Sequence, residues 1–191
     1  VDVKVRAPKE KIEPNPRVLG WDAAGIVSQV GAAVTLFKPG DQVYYAGDLT
    51  RPGSNSEFQL VDERIVGAMT TTLSFAEAAA LPLTAITAWE ALFDRLQMRL
   101  HDTPQDIAND QSSNKTLLII GAAGGVGSLA VQLAAKLTGR TIIATASRPQ
   151  SQAWVRALGA HHVIDHSQPL VPQINALGFQ YVDDILILNH I

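Results

Sequence analysis

One segment restricts the fold of this chain more than any other. Thr116-Leu117-Leu118-Ile119-Ile120 runs straight into Gly121-Ala122-Ala123-Gly124-Gly125-Val126-Gly127, and a helical stripe of Val126, Leu129, Ala130, Leu133, Ala134 and Leu137 follows. The short apolar run suits a strand buried on both faces. Glycines there let the chain turn sharply, let backbone amides approach a diphosphate without a Cβ in the way, and let the helix pack close to the sheet. The helix start would then offer unpaired N–H groups and a partial positive charge to the phosphates. Between a strand and a helix, inside a unit of about thirty residues, such a glycine pattern points strongly to nucleotide binding. Gly121, Ala122, Gly124, Gly125, Val126 and Gly127 are therefore the expected cofactor-binding residues of the loop. Gly139 is expected to close the helix as a left-handed cap, and Thr141 to Ala146 to form the next strand.

The end of that second strand bears on which nucleotide fits. A site for NAD usually places Asp or Glu there to hold the ribose hydroxyls. This chain reads Ala144-Thr145-Ala146-Ser147-Arg148. A carboxylate would repel a 2′-phosphate, whereas Ser147 can donate to one and Arg148 can pair with it. NADPH is the expected cofactor.

The remainder divides by texture. Up to about residue 70 the chain reads all-β, with Gly25 to Val30, Gln42 to Tyr45 and Glu57 to Val61 as strands. Lys38-Pro39-Gly40-Asp41 is the clearest turn between them. Ser74-Phe75-Ala76-Glu77 has capping-box spacing and opens a short Ala-rich helix that stops near Leu81-Pro82. A second helix is expected from Thr84 to about Met98, and a surface loop from His101 to Ser113. From Lys115 onward strands and helices alternate, which argues for a parallel α/β sheet. The 191 residues carry a net charge of -3, which gives no basic footprint for nucleic acid and no polybasic membrane patch. There is no cysteine, which excludes disulfides and thiolate-bound zinc from the residues shown and fits a reducing cytoplasm. The chain starts inside an alternating stretch, Val1 to Arg6, and stops on the strand-like run Ile185 to Leu188. We expect a fragment of a longer protein.

Several blocks in order resemble the medium-chain dehydrogenase/reductase superfamily, in particular its quinone oxidoreductase and zinc-type alcohol dehydrogenase-like branch. They are Val18-Leu19-Gly20-Trp21-Asp22-Ala23-Ala24-Gly25, Phe37 to Tyr44, Ala79 to Thr84, Trp89-Glu90-Ala91-Leu92, the glycine loop, and Leu158-Gly159-Ala160. The resemblance implies an α/β chain with a partial GroES-like β-barrel catalytic domain over residues 1–82. A partial Rossmann domain, a doubly wound parallel sheet, would cover 83–191, and the missing parts would lie before Val1 and after Ile191. Zinc-dependent relatives place a His-Glu pair where this chain has Trp21 and Asp22, and a further ligand where Leu83 stands. Indole and Leu cannot ligate, and catalytic zinc needs about three protein ligands, so no metal is expected. His161, His162, Asp165 and His166 fall on an apparent strand, whose neighbours alternate faces and do not converge on a metal.

Without zinc, a positioned donor must stabilise charge developing on the substrate oxygen. The resemblance makes Lys4 the first candidate, oriented by Asp2, with Tyr45 second. It puts Thr87 beside the nicotinamide, and Asn189 and His190 at the carboxyl end of a sheet strand, where ligands bind in open α/β folds. The implied activity is zinc-independent, NADPH-dependent hydride transfer to a quinone or α,β-unsaturated carbonyl. The alternatives are a zinc-type alcohol dehydrogenase and a non-catalytic nucleotide-binding protein. The partners expected are a small-molecule substrate and, by analogy, a second copy of the chain.

Overall fold

The computed structural model describes residues 2–7, 15–109 and 115–189. The chain divides into two compact units, residues 1–83 and 84–191. In the first, β1 (Asp22–Ile26), β2 (Gln42–Ala46) and β3 (Val66–Ala68) form an antiparallel meander in that order. The Lys38 to Asp41 turn forms as expected, with Gly40 at φ 93° and the Asp41 amide donating to the Lys38 carbonyl. Trp21, 1% exposed, is the largest fully buried side chain and donates its indole N–H to the Asp48 carbonyl. The Ser74–Glu77 capping box is complete and opens α2 (Phe75–Ala79), which packs on β1.

Three expectations fail in this unit. The strand expected over Gly25 to Val30 lies earlier, as β1 at Asp22–Ile26, and residues 27–30 are not strand. Residues 2–6 form a short helix, α1 (Asp2–Arg6), instead of an alternating strand; Asp2 in its first turn and Lys4 and Arg6 in its last suit the helix dipole. Glu57 to Val61 is not a strand. Its Gln59 side chain bonds outside any ladder, accepting from the Tyr45 hydroxyl and donating to the Pro52 carbonyl, while Phe58 and Leu60 stay exposed.

The second unit is a four-stranded parallel sheet of β4 (Thr116–Ile120), β5 (Thr141–Thr145), β6 (His162–Ile164) and β7 (Asp184–Ile187), in the order β6-β5-β4-β7. The chain therefore reverses its direction across the sheet between β4 and β7, as at the switch point of a doubly wound fold. Every residue of β4 is buried because both faces are covered. Leu117 and Ile119 pack into a core with Ala130, Val131 and Ala134 of α5 (Gly125–Leu137) and with Val155 of α6 (Pro149–Ala157). Leu118 and Ile120 pack on the other side against Ile174 of α7 (Leu170–Ala176). At the amino edge of the sheet the Asp183 carboxylate accepts from the Thr116 amide and hydroxyl, at 2.8 and 2.9 Å, and the Asp183 amide donates to the Thr116 hydroxyl. The Thr116 amide holds the Asp183 carboxyl below its ordinary range. Beside it Arg140 pairs with Asp184 at 3.1 Å.

Helix α3 (Pro82–Trp89) continues as a π-helical stretch over Glu90–Arg95 rather than as one regular helix to Met98. The region expected to be a loop holds a short helix, α4 (Pro104–Asn109). Thr103 and Asp106 cap it reciprocally and Pro104 opens it, signals that were present in the sequence. Residues 110–114 lie outside the described ones. Gly139 is not the left-handed cap of α5; Thr138 ends that helix in an extended conformation, its amide and hydroxyl both donating to the Ala134 carbonyl.

His161 joins β6 to β5 through its side chain as well as its backbone. Its Nδ1 accepts from the Ile142 amide at 2.9 Å, and its own amide donates to the Ile142 carbonyl. A nitrogen that accepts carries no proton, so the bond requires neutral imidazole. Burial, with the neighbouring His162, lowers the His161 pKa below its ordinary value. A depressed folded-state value means stability complete above the unfolded imidazole pKa of about 6.5 and lost as pH falls below it. The thermal midpoint should therefore drop between pH 7 and 5, and His161→Asn, whose Oδ1 accepts without titrating, should flatten part of that drop.

Candidate functional site

The candidate site gathers at the carboxyl ends of β4, β5 and β7, within the second unit. Gly121 turns the chain out of β4 with φ 82°, a conformation that favours glycine. Its amide donates to Thr145 Oγ1 at 3.1 Å, which ties the loop to the end of β5. A Cβ on Gly121 would lie 2.9 Å from Asn189 Oδ1, so the Asn189 side chain rests directly over the turn. Gly127 is the most constrained of the loop glycines. A Cβ there would sit 2.4 Å from the Gly121 carbonyl oxygen and 2.7 Å from Ala122 Cα, so only a bare residue lets α5 approach the loop this closely. Gly124 and Gly125 are different: the nearest atoms to their added Cβ would be 3.4 and 3.3 Å away, and packing alone does not demand glycine.

Gly124 is the N-cap of α5 and offers no side chain to cap it. The first helical bond runs from the Ser128 amide to the Gly124 carbonyl at 2.8 Å. The amides of Gly125, Val126 and Gly127 precede that bond and point out of the helix start, where the dipole adds partial positive charge. They open onto a cleft of about 580 Å³, a size suited to a cofactor. Its other walls are Thr145, Ala146, Ser147 and Arg148 after β5, Ser151 of α6, His166 beyond β6, and Leu188 and Asn189 beyond β7. Among the described residues lining it there is one guanidinium, one imidazole and no carboxylate.

The structure thus brings together Gly121, Gly124, Gly125, Val126, Gly127, Ser147, Arg148 and Asn189. Ala122 is fully buried beneath the loop and does not line the cleft. Thr87 is exposed on α3 and is not among the lining residues. His190 lies outside the described residues. Thr145, Ser151 and His166 had not been singled out for this site: Thr145 sits within the strand-end stretch already read for cofactor choice, and His166 had been weighed only as a metal ligand. Asp2, Lys4 and Tyr45 belong to the first unit. Asp2 and Lys4 are two apart on α1, a spacing that does not face side chains toward each other, which corrects the expectation that Asp2 orients Lys4. Lys4 is exposed. Tyr45 is half-buried and donates its hydroxyl to Gln59 at 2.6 Å, and burial pushes its pKa up.

Residues 1–88 match the family described as alcohol dehydrogenase GroES-like domain, and residues 125–188 the family described as zinc-binding dehydrogenase. The chain belongs to the medium-chain dehydrogenase/reductase superfamily. Within it, a solved Rhizobium etli structure named for zinc-dependent alcohol dehydrogenases is 54% identical, with a TM-score of 0.83, over 99% of this chain and 53% of its own. The Escherichia coli quinone oxidoreductase solved with NADPH is 29% identical, with a TM-score of 0.73, over 93% of this chain and 50% of its own. The chloroplastic NADPH-dependent alkenal/one oxidoreductase of Arabidopsis thaliana is 36% identical over 176 residues, 88% of this chain and 42% of the relative. The chain spans about half the length of the curated relatives it matches.

A matched family whose description mentions zinc makes the donor set worth testing. Trp21, where the resemblance implies a ligand in zinc-dependent relatives, is buried and spends its only side-chain polar atom on the Asp48 carbonyl. The Asp22 carboxylate accepts from the Leu83 amide at 2.7 Å and so braces the start of α3. Burial raises the Asp22 pKa above its ordinary value, against the pull of that amide. Leu83 supplies no ligand. These three residues do not fit a catalytic zinc.

The glycines separate stability from binding. Gly127→Ala should lower unfolding stability by about 1–3 kcal/mol through overpacking, measured by chemical denaturation. Gly124→Ala should cost less, about 0.5–1 kcal/mol because Ala is a poorer N-cap than Gly, while its Cβ weakens dinucleotide binding at least about tenfold, read by titration.

Proposed function

We propose that this chain is the nucleotide-binding portion, with part of the catalytic domain, of a zinc-independent, NADPH-dependent oxidoreductase acting on a quinone or an α,β-unsaturated carbonyl. The observation that carries the reading is the cleft at the start of α5: unpaired amides and an uncapped helix end beside Arg148, with no carboxylate among the described lining residues. A bound NADPH would supply the hydride, and the protein the orientation and charge stabilisation.

In this reading the amides of Gly125, Val126 and Gly127 hold the diphosphate, which needs a negative ligand and no side chain in the way. Ser147 and Arg148, at the end of β5, hold the ribose 2′-phosphate by donation and by charge-assisted pairing. Asn189, at the switch point over Gly121, reaches toward the nicotinamide end, with Thr87 and His190 as further candidates. The Tyr45 hydroxyl is already engaged by Gln59, which leaves Lys4 as the stronger proposal for the group that stabilises a developing oxyanion. The names of the NADPH-bound quinone oxidoreductase and of the alkenal/one oxidoreductase support both the cofactor and the substrate class. No helix among the described residues is long and apolar enough to cross a membrane. A small-molecule substrate is proposed from the similar oxidoreductases, and a homodimer by analogy alone.

Two measurements test the proposal. NADPH should bind at least about tenfold more tightly than NADH, and Arg148→Ala should remove most of that preference while leaving NADH affinity within about twofold. Equal affinities, untouched by the substitution, would overturn the cofactor assignment. NADPH oxidation by the intact protein should accelerate on adding a quinone or an enone; binding without turnover on either would favour a non-catalytic nucleotide-binding protein.

A further inference from the structure

Arg148 is not alone among the described lining residues in being able to carry positive charge: His166, on the turn that follows β6, lines the same cleft, as do Ser147 and Ser151. Both serines can donate hydrogen bonds, and His166 becomes a donor with a full charge when protonated. This wall is built from three successive segments, the loop after β5, the first turn of α6 and the loop after β6, so it forms only when the sheet is assembled. We propose that His166 makes the preference for the phosphorylated cofactor depend on protons: a charged imidazole joins Arg148 at the 2′-phosphate, and its loss at higher pH leaves Arg148 alone. This rests on the reading of the cleft as an NADPH site and adds to it a residue that sets cofactor choice.

The surroundings of His166 permit this. The carboxylate of its neighbour Asp165 accepts from the Ser167 amide and hydroxyl at 2.8 Å each and is held by that loop, while still feeling the adjacent imidazole. The Asp165 amide and carbonyl are both held by the Gln173 side chain of α7, at 2.8 Å each, so the turn that presents His166 is fixed from behind by a neutral group. From the β5–α6 side the one charged group of the lining is Arg148, and the glycine loop presents only backbone. Imidazole is the side chain whose charge ordinarily changes between pH 5 and 8. The 2′-phosphate gains its second charge in the same range. Its own titration strengthens binding to a fixed cation as pH rises, the opposite sense from the imidazole, so the two contributions separate by substitution.

The test is fluorescence titration of the intact protein with NADPH and with NADH from pH 5.5 to 8.5, for the parent, His166→Gln and Arg148→Ala. His166→Gln keeps a neutral donor at an exposed position and leaves the fold untouched. The ratio of NADH to NADPH dissociation constants should be about fivefold higher in the parent than in His166→Gln at pH 5.5–6. The two should converge above pH 8, and NADH affinity should be the same in both throughout. If the parent and His166→Gln give superimposable ratios at every pH while Arg148→Ala still abolishes the preference, the role of His166 is overturned and the NADPH site stands. If neither protein prefers NADPH at any pH, both fall together.

Discussion

The closeness of α5 to the end of β4 is the constraint on which the second unit depends. A helix can seat its first turn against a strand end only where no side chain intervenes, and here the clearance under Gly127 is shorter than any Cβ tolerates. That approach has two effects at once. It buries Ala122, Ala130, Val131 and Ala134 against Leu117 and Ile119, which supplies the apolar core of one face of the sheet. It also leaves the amides of Gly125, Val126 and Gly127 facing outward with no partner among the described residues. Stability and ligand binding thus originate in the same missing side chain, and the bond from Gly121 to Thr145 fixes where the unsatisfied amides point.

Charge then selects what can satisfy them. The described lining of the cleft gathers positive or neutral groups from the glycine loop and from beyond β5, β6 and β7, and includes no acid. Among the acids of this unit, Asp165 is engaged in its own turn and Asp183 and Asp184 at the opposite edge of the sheet. In a parallel sheet all strands deliver their carboxyl ends to one edge, so side chains distant in sequence meet there. In the proposed reading the choice among anions lies with a few residues just past those strand ends.

Much of this was legible beforehand, and for identifiable reasons. A run buried on both faces, followed by glycines and then a helical stripe, has few physical solutions, so β4, the loop and α5 could be read with little tertiary information. The capping box at Ser74 and the turn at Gly40 are equally local. The failures share a different cause. Val1 to Arg6 alternates like a strand, but a pattern of six residues is too short to outvote the helix-favouring charges at Asp2, Lys4 and Arg6. Glu57 to Val61 has strand composition, yet its Gln59 bonds through the side chain, to the Pro52 carbonyl and the Tyr45 hydroxyl, and not through a backbone ladder. Gly139 stood where a cap belongs, and Thr138 ended the helix first with its own hydroxyl. Thr145, Ser151 and His166 needed the sheet order before their convergence could be seen, because nothing in linear spacing places residues past β5 and β6 around one cleft.

The Asp183–Thr116 lock at the far edge of the sheet has a bearing on the cleft that its position conceals. Side chains on a strand change face with each residue, so sliding β7 along β4 by a single step would invert its whole pattern. Leu186 would leave the core and Asn189 would no longer meet Gly121. Two reciprocal bonds, made some five residues before the turn, therefore act as an alignment pin. The accuracy with which one amide side chain arrives over a glycine is settled at the opposite end of the strand that carries it.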